Sequence, residues 1–200
     1  MLNEAGRRFV IPEYQRPYRW GKDECETLWE DILSVFGDGN DIEEYFLGSI
    51  VAYENEKNQL EIIDGQQRIT TLTLLFRAVY ELLKTEYKFG EDYVKDFGKC
   101  IWDYERDKGL RFDKYHLNSQ VCTDTDEKIL KQLLSENCEV ANKHSNYAKN
   151  YDYFYSKLLN FKQEKSLVWK DFCNMFLDNK LFVLLVVCDS QESAMTILIH

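Results

Sequence analysis

The feature that most constrains the fold is a strand that turns sharply into a long helix. A short β pattern over residues 60–63 is broken at Asp64-Gly65, and a helical pattern begins at once. The apolar residues of that helix recur along one face, at Ile69, Leu72, Phe76, Val79 and Leu83. Because a strand joined directly to a long helix is a unit of mixed architecture, the sequence predicts an α/β fold.

Further elements are predicted on both sides of this junction. We expect strands over residues 7–12, 45–53 and 181–188, and helices over residues 23–36, 93–104, 128–134 and 146–161. Pro12 stops the first strand, Gly37 and Gly39 end the first helix, and Ser190 caps a last short helix. The prediction is thus an α/β part over residues 1–88 and a mainly helical extension over residues 89–200, closed by the late strand.

The charge and hydropathy of the chain limit its partners and its location. With 35 acidic and 25 basic residues the formal net charge is −10, which disfavours a domain that wraps nucleic acid by bulk electrostatics. A DNA contact would need a local basic patch or another domain. No apolar run reaches the roughly 18 residues of a membrane span, and no secretory signal is visible. We therefore expect a cytoplasmic protein without a membrane partner.

The six cysteines are far apart and form no Cys-x-x-Cys pair. This spacing is typical of free thiols in a reducing compartment and not of a disulfide framework. A zinc site assembled from them with His116 or His144 lacks the usual ligand spacing.

The residues at the strand–helix turn are suited to an anion. The first N–H groups of a helix lack partners within the helix and carry the positive end of its dipole. Gly65 lets the backbone come close to a ligand, while Gln66 and Gln67 offer amide donors and acceptors. Arg68 offers a planar fork that suits phosphate oxygens. Asp64, at the end of the strand, is placed to hold a divalent cation or to orient water.

A simpler interpretation is a structural junction in which Asp64 caps the helix and Arg68 lies in solvent. Two glutamines and an arginine add nothing to such a turn, however, and all are costly to bury without partners. A second stretch, residues 14–20, repeats the chemistry with a glutamine beside an arginine among aromatic residues. Both stretches follow short strands, so we expect their polar groups to converge at one edge of a sheet.

Three segments of the chain together resemble the N-terminal domain of GmrSD-type restriction endonucleases. They are residues 9–20 (FVIPEYQRPYRW), 46–51 (FLGSIV) and 63–72 (IDGQQRITTL). The resemblance covers residues 7 to about 85 closely and extends to residues 181–196. It implies an α+β fold similar to ParB and sulfiredoxin, with a small mixed sheet, flanking helices and a helical extension.

The resemblance also implies a function. It predicts a nucleotide-binding, NTP-hydrolysing regulatory module of a DNA restriction or anti-phage defence protein, coupled to a separate nuclease domain or subunit. The implied cofactors are a nucleoside triphosphate (GTP, UTP, CTP or ATP) and Mg²⁺. Catalytic roles would fall on Asp64, Gln67 and Arg68, with Asp64 also the metal ligand. The residues expected to bind the nucleotide are Gly65, Gln66, Tyr14, Gln15, Arg16 and Arg19.

Three departures refine this expectation. In sulfiredoxin a nucleophilic cysteine follows the glycine of the turn, but here that residue is Gln66, and an amide cannot perform thiolate chemistry. The family's Phe-Glu-x-Leu-Asn-x-Arg-Gly element after the last strand is not matched by residues 197–200, so we expect a truncated C-terminus. His116 lacks the second histidine of an HNH nuclease site.

An alternative function of another class stays open on the sequence. Residues 7–20 carry four arginines against one glutamate, interleaved with aromatic residues. Such a stretch suits phosphates or a modified base, so a non-catalytic DNA-reading or partner-binding module is the second hypothesis. A third is a truncated domain that folds and has no activity of its own.

Overall fold

The computed structural model describes residues 7–36, 44–84, 90–138, 143–178 and 180–197. Its strands are β1 (Phe9–Ile11), β2 (Tyr45–Glu54), β3 (Leu60–Asp64), β4 (Trp102–Glu105), β5 (Gly109–Tyr115), β6 (Leu117–Ser119) and β7 (Leu181–Cys188). Its helices are α1 (Lys22–Phe36), α2 (Gln66–Lys84), α3 (Gly90–Lys99), α4 (Asp124–Leu133), α5 (Asn146–Glu164), α6 (Trp169–Leu177) and α7 (Gln191–Ile197). Gly37 and Gly39, expected to end α1, lie outside the described residues, as do residues 198–200.

Five of the strands form one mixed sheet in the order β6-β1-β3-β2-β7. β1 is parallel to β3 and β6, β2 is antiparallel to β3, and β7 is parallel to β2. β4 and β5 pair separately as an antiparallel hairpin. The mixed sheet with flanking helices confirms the predicted α+β class. The sheet takes strands from both sides of residue 88, since β6 and β7 come after it in the chain.

The two faces of the sheet are covered very differently. On one face α2 is buried along almost its whole length, because it packs against α5, α3 and the sheet. Three tryptophans lie in this main core, Trp29, Trp102 and Trp169, and none is more than 4% exposed. On the other face a small separate cluster, which includes Ala194 of α7, covers part of β2, β3 and β7. The main core therefore fixes α2 firmly to the sheet.

Most of the predicted elements are confirmed, and two regions differ. The strands predicted over residues 7–12, 45–53, 60–63 and 181–188 and the helices predicted over residues 23–36, 128–134 and 146–161 are all present within a few residues. The helix predicted from Tyr93 to Tyr104 is wrong beyond Lys99, because β4 begins at Trp102. β5, β6 and α6 were not predicted. Ser190 is confirmed as a cap, since its Oγ accepts from the N–H of Ser193 at 3.1 Å.

Within the described residues there is no disulfide, no metal-binding cluster and no membrane-spanning helix. All six cysteines are free thiols, and burial raises the pKa of Cys25 and of Cys100 to about 12, so both stay protonated. No group of three His, Cys, Asp or Glu side chains there is arranged to hold a metal ion. None of the helices in these ranges is long and apolar enough to cross a bilayer.

A buried histidine is expected to make stability depend on pH. Burial lowers the pKa of His116 in spite of Asp103, whose Oδ1 lies 3.2 Å from His116 Nε2. The folded state then binds fewer protons than the unfolded chain, in which histidine has a pKa of about 6.5. We expect the free energy of unfolding, measured in urea, to be highest above about pH 7. It should fall as the pH drops through about 6.5 and below. A His116→Phe variant should flatten this part of the profile, and His144→Gln, at an exposed histidine, should not. An unchanged slope in His116→Phe would contradict the assignment.

Candidate functional site

The two polar stretches of the sequence meet at one edge of the sheet. Because β1 and β3 are parallel neighbours, the chain leaves both strands on the same side of the sheet. β2 is antiparallel to β3, so its first residues, from Tyr45, lie at this edge too. Gln66 Nε2 donates to Gln15 Oε1 at 2.9 Å, which joins the two stretches directly. The expected convergence of residues 14–20 with the turn at Asp64 is confirmed.

The turn between β3 and α2 depends on a glycine. Gly65 has φ +88°, and a Cβ there would lie 2.8 Å from the carbonyl oxygen of Ser49 in β2. Only glycine combines that backbone conformation with so close an approach. The first α-helical bond runs from the Ile69 N–H to the Gly65 carbonyl at 3.0 Å. The peptide N–H groups of residues 66–68 therefore precede the helical ladder and point toward the edge of the sheet.

Gln67 holds the loop after β1 in place. Its Oε1 accepts from the backbone N–H groups of Arg19 at 2.8 Å and of Trp20 at 3.1 Å. Its Nε2 donates to the carbonyl oxygen of Pro17 at 3.1 Å. The side chain is only 5% exposed, and both lone pairs of its oxygen are used. Gln67 thus ties the loop over residues 17–20 to the first turn of α2. These are the contacts of a positioning residue, and the catalytic role expected for Gln67 from the sequence stays a prediction.

Gln15 is fixed in the same way from the other side. Its Nε2 donates to the carbonyl oxygen of Ile63 at 2.9 Å, and its Oε1 receives the bond from Gln66. Gln15 and Gln66 thus bond each other beside the turn, and Gln67 bonds the loop over residues 17–20. These bonds offset the cost of burying the amide groups.

Arg68 lies against a bulge of β2. Its Nη1 donates to the carbonyl oxygen of Ser49 at 2.8 Å. Between Phe46 and Ser49, β2 takes three residue steps where β7 takes two, so the extra residue distorts the strand. Gly48 lies in this bulge with φ +112°, and a Cβ there would lie 2.6 Å from Arg68 Cζ. The bulge and the missing side chain make the space that the guanidinium fills.

A cavity of about 330 Å³, here called the polar cavity, opens beside the turn. Its walls are residues 64–68 with Gln15, Arg16 and Trp20. Within the described residues, the side chains of Arg16 and Asp64 have no hydrogen bond or ion pair, and Arg68 has no carboxylate partner. Two guanidinium groups thus face one carboxylate, in a chain whose formal net charge is −10. A local positive charge beside open helix N–H groups favours an anion.

Not every residue expected at the site lies in this cavity. Gln15, Arg16 and residues 64–68 line it, whereas Tyr14 and Arg19 do not. The hydroxyl of Tyr14 donates to Glu61 Oε1 at 3.3 Å and accepts from Gln191 Nε2 at 3.2 Å. Arg19 contributes to the site through its backbone N–H, which donates to Gln67 Oε1.

Sequence reasoning also missed three contributors to the site. They are Trp20, which is half-buried and forms a wall of the polar cavity, and Gly48 and Ser49, which hold Arg68. Trp20 closes the first motif and Gly48 lies in the segment of residues 46–51. Their roles depend on strand pairing, so no local pattern shows them.

The polar cavity offers one carboxylate for a divalent cation. Asp64 is exposed at its mouth. Mg²⁺ is commonly held by one or two carboxylates together with substrate phosphates and water, and not by an all-protein cage. The residues present therefore fit Mg²⁺ only as a partner of a bound phosphate chain.

These features define a class: an α+β domain with an arginine-lined polar cavity at the open end of a mixed sheet. The family model described as "GmrSD restriction endonuclease, N-terminal domain" matches residues 1–199. The chain belongs to this family. It is accordingly a module of a restriction-type defence protein, and the family implies a nuclease partner domain. A search of curated proteins finds none that matches the chain.

Proposed function

We propose that this domain binds a nucleoside triphosphate in the polar cavity and hydrolyses it, as a regulatory module of a restriction-type protein. The observation that carries the proposal is the pair of arginines in that cavity. Arg16 is without a partner in the described part of the chain, and Arg68 is bound only to a backbone carbonyl. Guanidinium forks and free helix N–H groups are the groups that proteins use for phosphates.

Each residue of the cavity has a role in this proposal. Arg68 and the N–H groups of residues 66–68 hold phosphate oxygens, and Arg16 closes the opposite side. Asp64 holds Mg²⁺ on the phosphate chain or positions the attacking water. Gln67 and Gln15 keep these groups in place through their own hydrogen bonds. Phosphoryl transfer needs little more than such positioning and charge stabilisation from a protein.

The proposal is tested by calorimetry and phosphate release with each of the four NTPs and Mg²⁺. We expect saturable binding, and phosphate release that falls about a hundredfold or more in Asp64→Ala while nucleotide binding is retained. Asp107→Ala is the matched control, because Asp107 is an exposed aspartate in the β4–β5 turn, outside the cavity. If no NTP and no tripolyphosphate binds the folded wild-type chain, the proposal is wrong. If all four NTPs bind and none is hydrolysed, the proposed hydrolysis is wrong and the proposed nucleotide binding stands.

The second candidate, DNA reading by residues 7–20, has less support in the structure. Arg8 forms an ion pair with Asp103 and donates to the carbonyl oxygen of Tyr115 at 3.0 Å. The hydroxyl of Tyr18 bonds Thr71 at 2.7 Å, and its ring packs on Tyr147. Much of the basic aromatic stretch is therefore used to build the fold. Arg16 and Arg19 stay exposed.

A substitution at Gly48 tests how Arg68 is held. Gly48→Ala is expected to weaken nucleotide binding at least about tenfold, because the added methyl group displaces the guanidinium. Gly109→Ala is the matched control: it also has positive φ, at +73°, and nothing lies within 4 Å of its added Cβ. Gly109→Ala should lose about 1–2 kcal/mol of stability from its left-handed backbone, and Gly48→Ala should lose at least as much, because its added Cβ also crowds Arg68. Only Gly48→Ala should lose binding in calorimetry, and equal affinities in the two variants would contradict this role.

A further inference from the structure

A second cavity adjoins the polar one. It has a volume of about 230 Å³, here called the apolar cavity, and it lies between α1 and the first residues of β2. Trp20 and Arg68 line both cavities. The two cavities therefore lie next to each other and share these two walls, although their other walls differ.

The walls of the apolar cavity have two kinds of chemistry. On the β2 side lie Tyr45, Phe46 and Leu47, and Phe46 is 50% exposed although its ring is large and apolar. Leu28 contributes apolar surface from α1. An exposed aromatic surface beside a polar site favours a flat, unsaturated group.

The α1 side adds carboxylates at helical spacing. Glu24 and Asp31 line the apolar cavity with Leu28, one and two turns apart on the same face of α1. Glu24 Oε2 accepts from the Gly21 N–H at 2.8 Å, which leaves its other oxygen open. The side chain of Asp31 makes no hydrogen bond or ion pair within the described ranges. Ionised carboxylates only accept hydrogen bonds, so a ligand here must present N–H or O–H donors.

We infer that the apolar cavity takes the nucleobase of the bound nucleotide and that it selects guanine. This inference rests on the proposed function and names the substrate of the same site. The carboxylates repel the phosphate chain, so the phosphates lie at the arginine end and the base at the α1 end. A ligand with an anionic end and a flat, donor-bearing end matches both cavities at once.

Guanine is the base whose hydrogen-bonding edge fits carboxylates best. Its N1–H and its N2 amino group are adjacent donors, and one carboxylate accepts both. Uracil presents a single N–H between two carbonyl oxygens, which a carboxylate repels. Adenine and cytosine each place a ring acceptor beside their amino group. A site built to bond specific donors rejects bases that lack them strongly, because its own polar groups are then left unpaired.

Calorimetry with a ligand series separates this inference from the proposed function. The ligands are tripolyphosphate, GTP, ITP (which lacks the 2-amino group), ATP and UTP, all with Mg²⁺. We expect tripolyphosphate to bind, and GTP to bind at least about tenfold tighter than ITP or UTP. Asp31→Asn and Glu24→Gln should reduce the ratio of GTP to UTP affinity, and tripolyphosphate affinity should not fall. Glu30→Gln is the matched control, because Glu30 is exposed on α1 and outside the cavity.

The outcomes are distinct. If tripolyphosphate binds but GTP binds no tighter than it does, or no tighter than UTP, the base inference fails and the phosphate site stands. If the preference for GTP is present but unchanged in both α1 variants, the assignment to these carboxylates is overturned. If neither tripolyphosphate nor any NTP binds, the proposed function fails together with the inference. A preference for GTP that is lost in Asp31→Asn and kept in Glu30→Gln supports it.

Discussion

Replacement of Arg68 by alanine is expected to weaken nucleotide binding about a hundredfold and to leave the fold intact, since charge-assisted bonds to phosphate are worth about 1.5–3 kcal/mol. The only hydrogen bond that the guanidinium makes within the described residues is to the carbonyl oxygen of Ser49. Arg68 itself lines the polar cavity, so removal of its side chain lets water from the cavity reach that carbonyl and replace the lost donor. Stability should therefore change little while affinity falls steeply.

The control for this experiment removes an arginine elsewhere. Arg106→Ala makes the same change of charge in the exposed turn between β4 and β5, away from the cavity. Its affinity in calorimetry should equal that of the wild-type chain. If Arg68→Ala has a native circular dichroism spectrum and an unchanged affinity, the phosphate site is not where we place it.

The largest loss of stability is expected at Arg77, which is fully buried in α2. Its Nε donates to the carbonyl oxygen of Leu133 at 2.7 Å, its Nη2 to that of Ser135 at 3.2 Å, and its Nη1 to Glu81 Oε2 at 2.7 Å. These bonds satisfy the end of α4, where carbonyl groups lack helical partners. The guanidinium also lies 5.3 Å from the ring centre of Trp102. Arg77→Leu should reduce the free energy of unfolding by about 3–5 kcal/mol, because buried acceptors and a carboxylate lose their donor.

Arg111 provides a stringent comparison in urea unfolding. It also makes three side-chain hydrogen bonds, to Asp113 and Glu105, but its partners are accessible to water. Arg111→Leu should cost no more than about 1 kcal/mol, as exposed ion pairs contribute little. Equal losses in the two variants would show that burial of Arg77 is not the cause.

The strand–turn–helix junction could be predicted from the sequence, because its pattern is local. Asp64-Gly65 ends one periodicity and the next begins immediately, so the elements and the turn follow from residues close together. β5 carried a similar signal that was missed: Leu110 and Phe112 alternate with Arg111 and Asp113, as in a half-buried strand. β6 has only three residues, and its pairing with β1 is a tertiary contact that no periodicity reveals.

The site was predictable in its residue types but not in its geometry. The two motifs indicated glutamines and arginines at one edge, and the parallel pairing of β1 and β3 brings them together. Gly48 could not be assigned, because its role comes from the register of β2 against β7 and from the position of Arg68. The same holds for Tyr14, whose hydroxyl bonds Glu61 and Gln191, a residue far along the chain.

The distribution of tryptophans gives the domain an intrinsic optical probe. Trp29, Trp102 and Trp169 are sealed in the core, and Trp20 alone of the four is open to solvent. Collisional quenchers such as iodide or acrylamide should reach only that indole, and occupation of either neighbouring space should shield it. The intrinsic tryptophan fluorescence of the wild-type chain can therefore report ligand binding in real time, without a dye attached near the cavities.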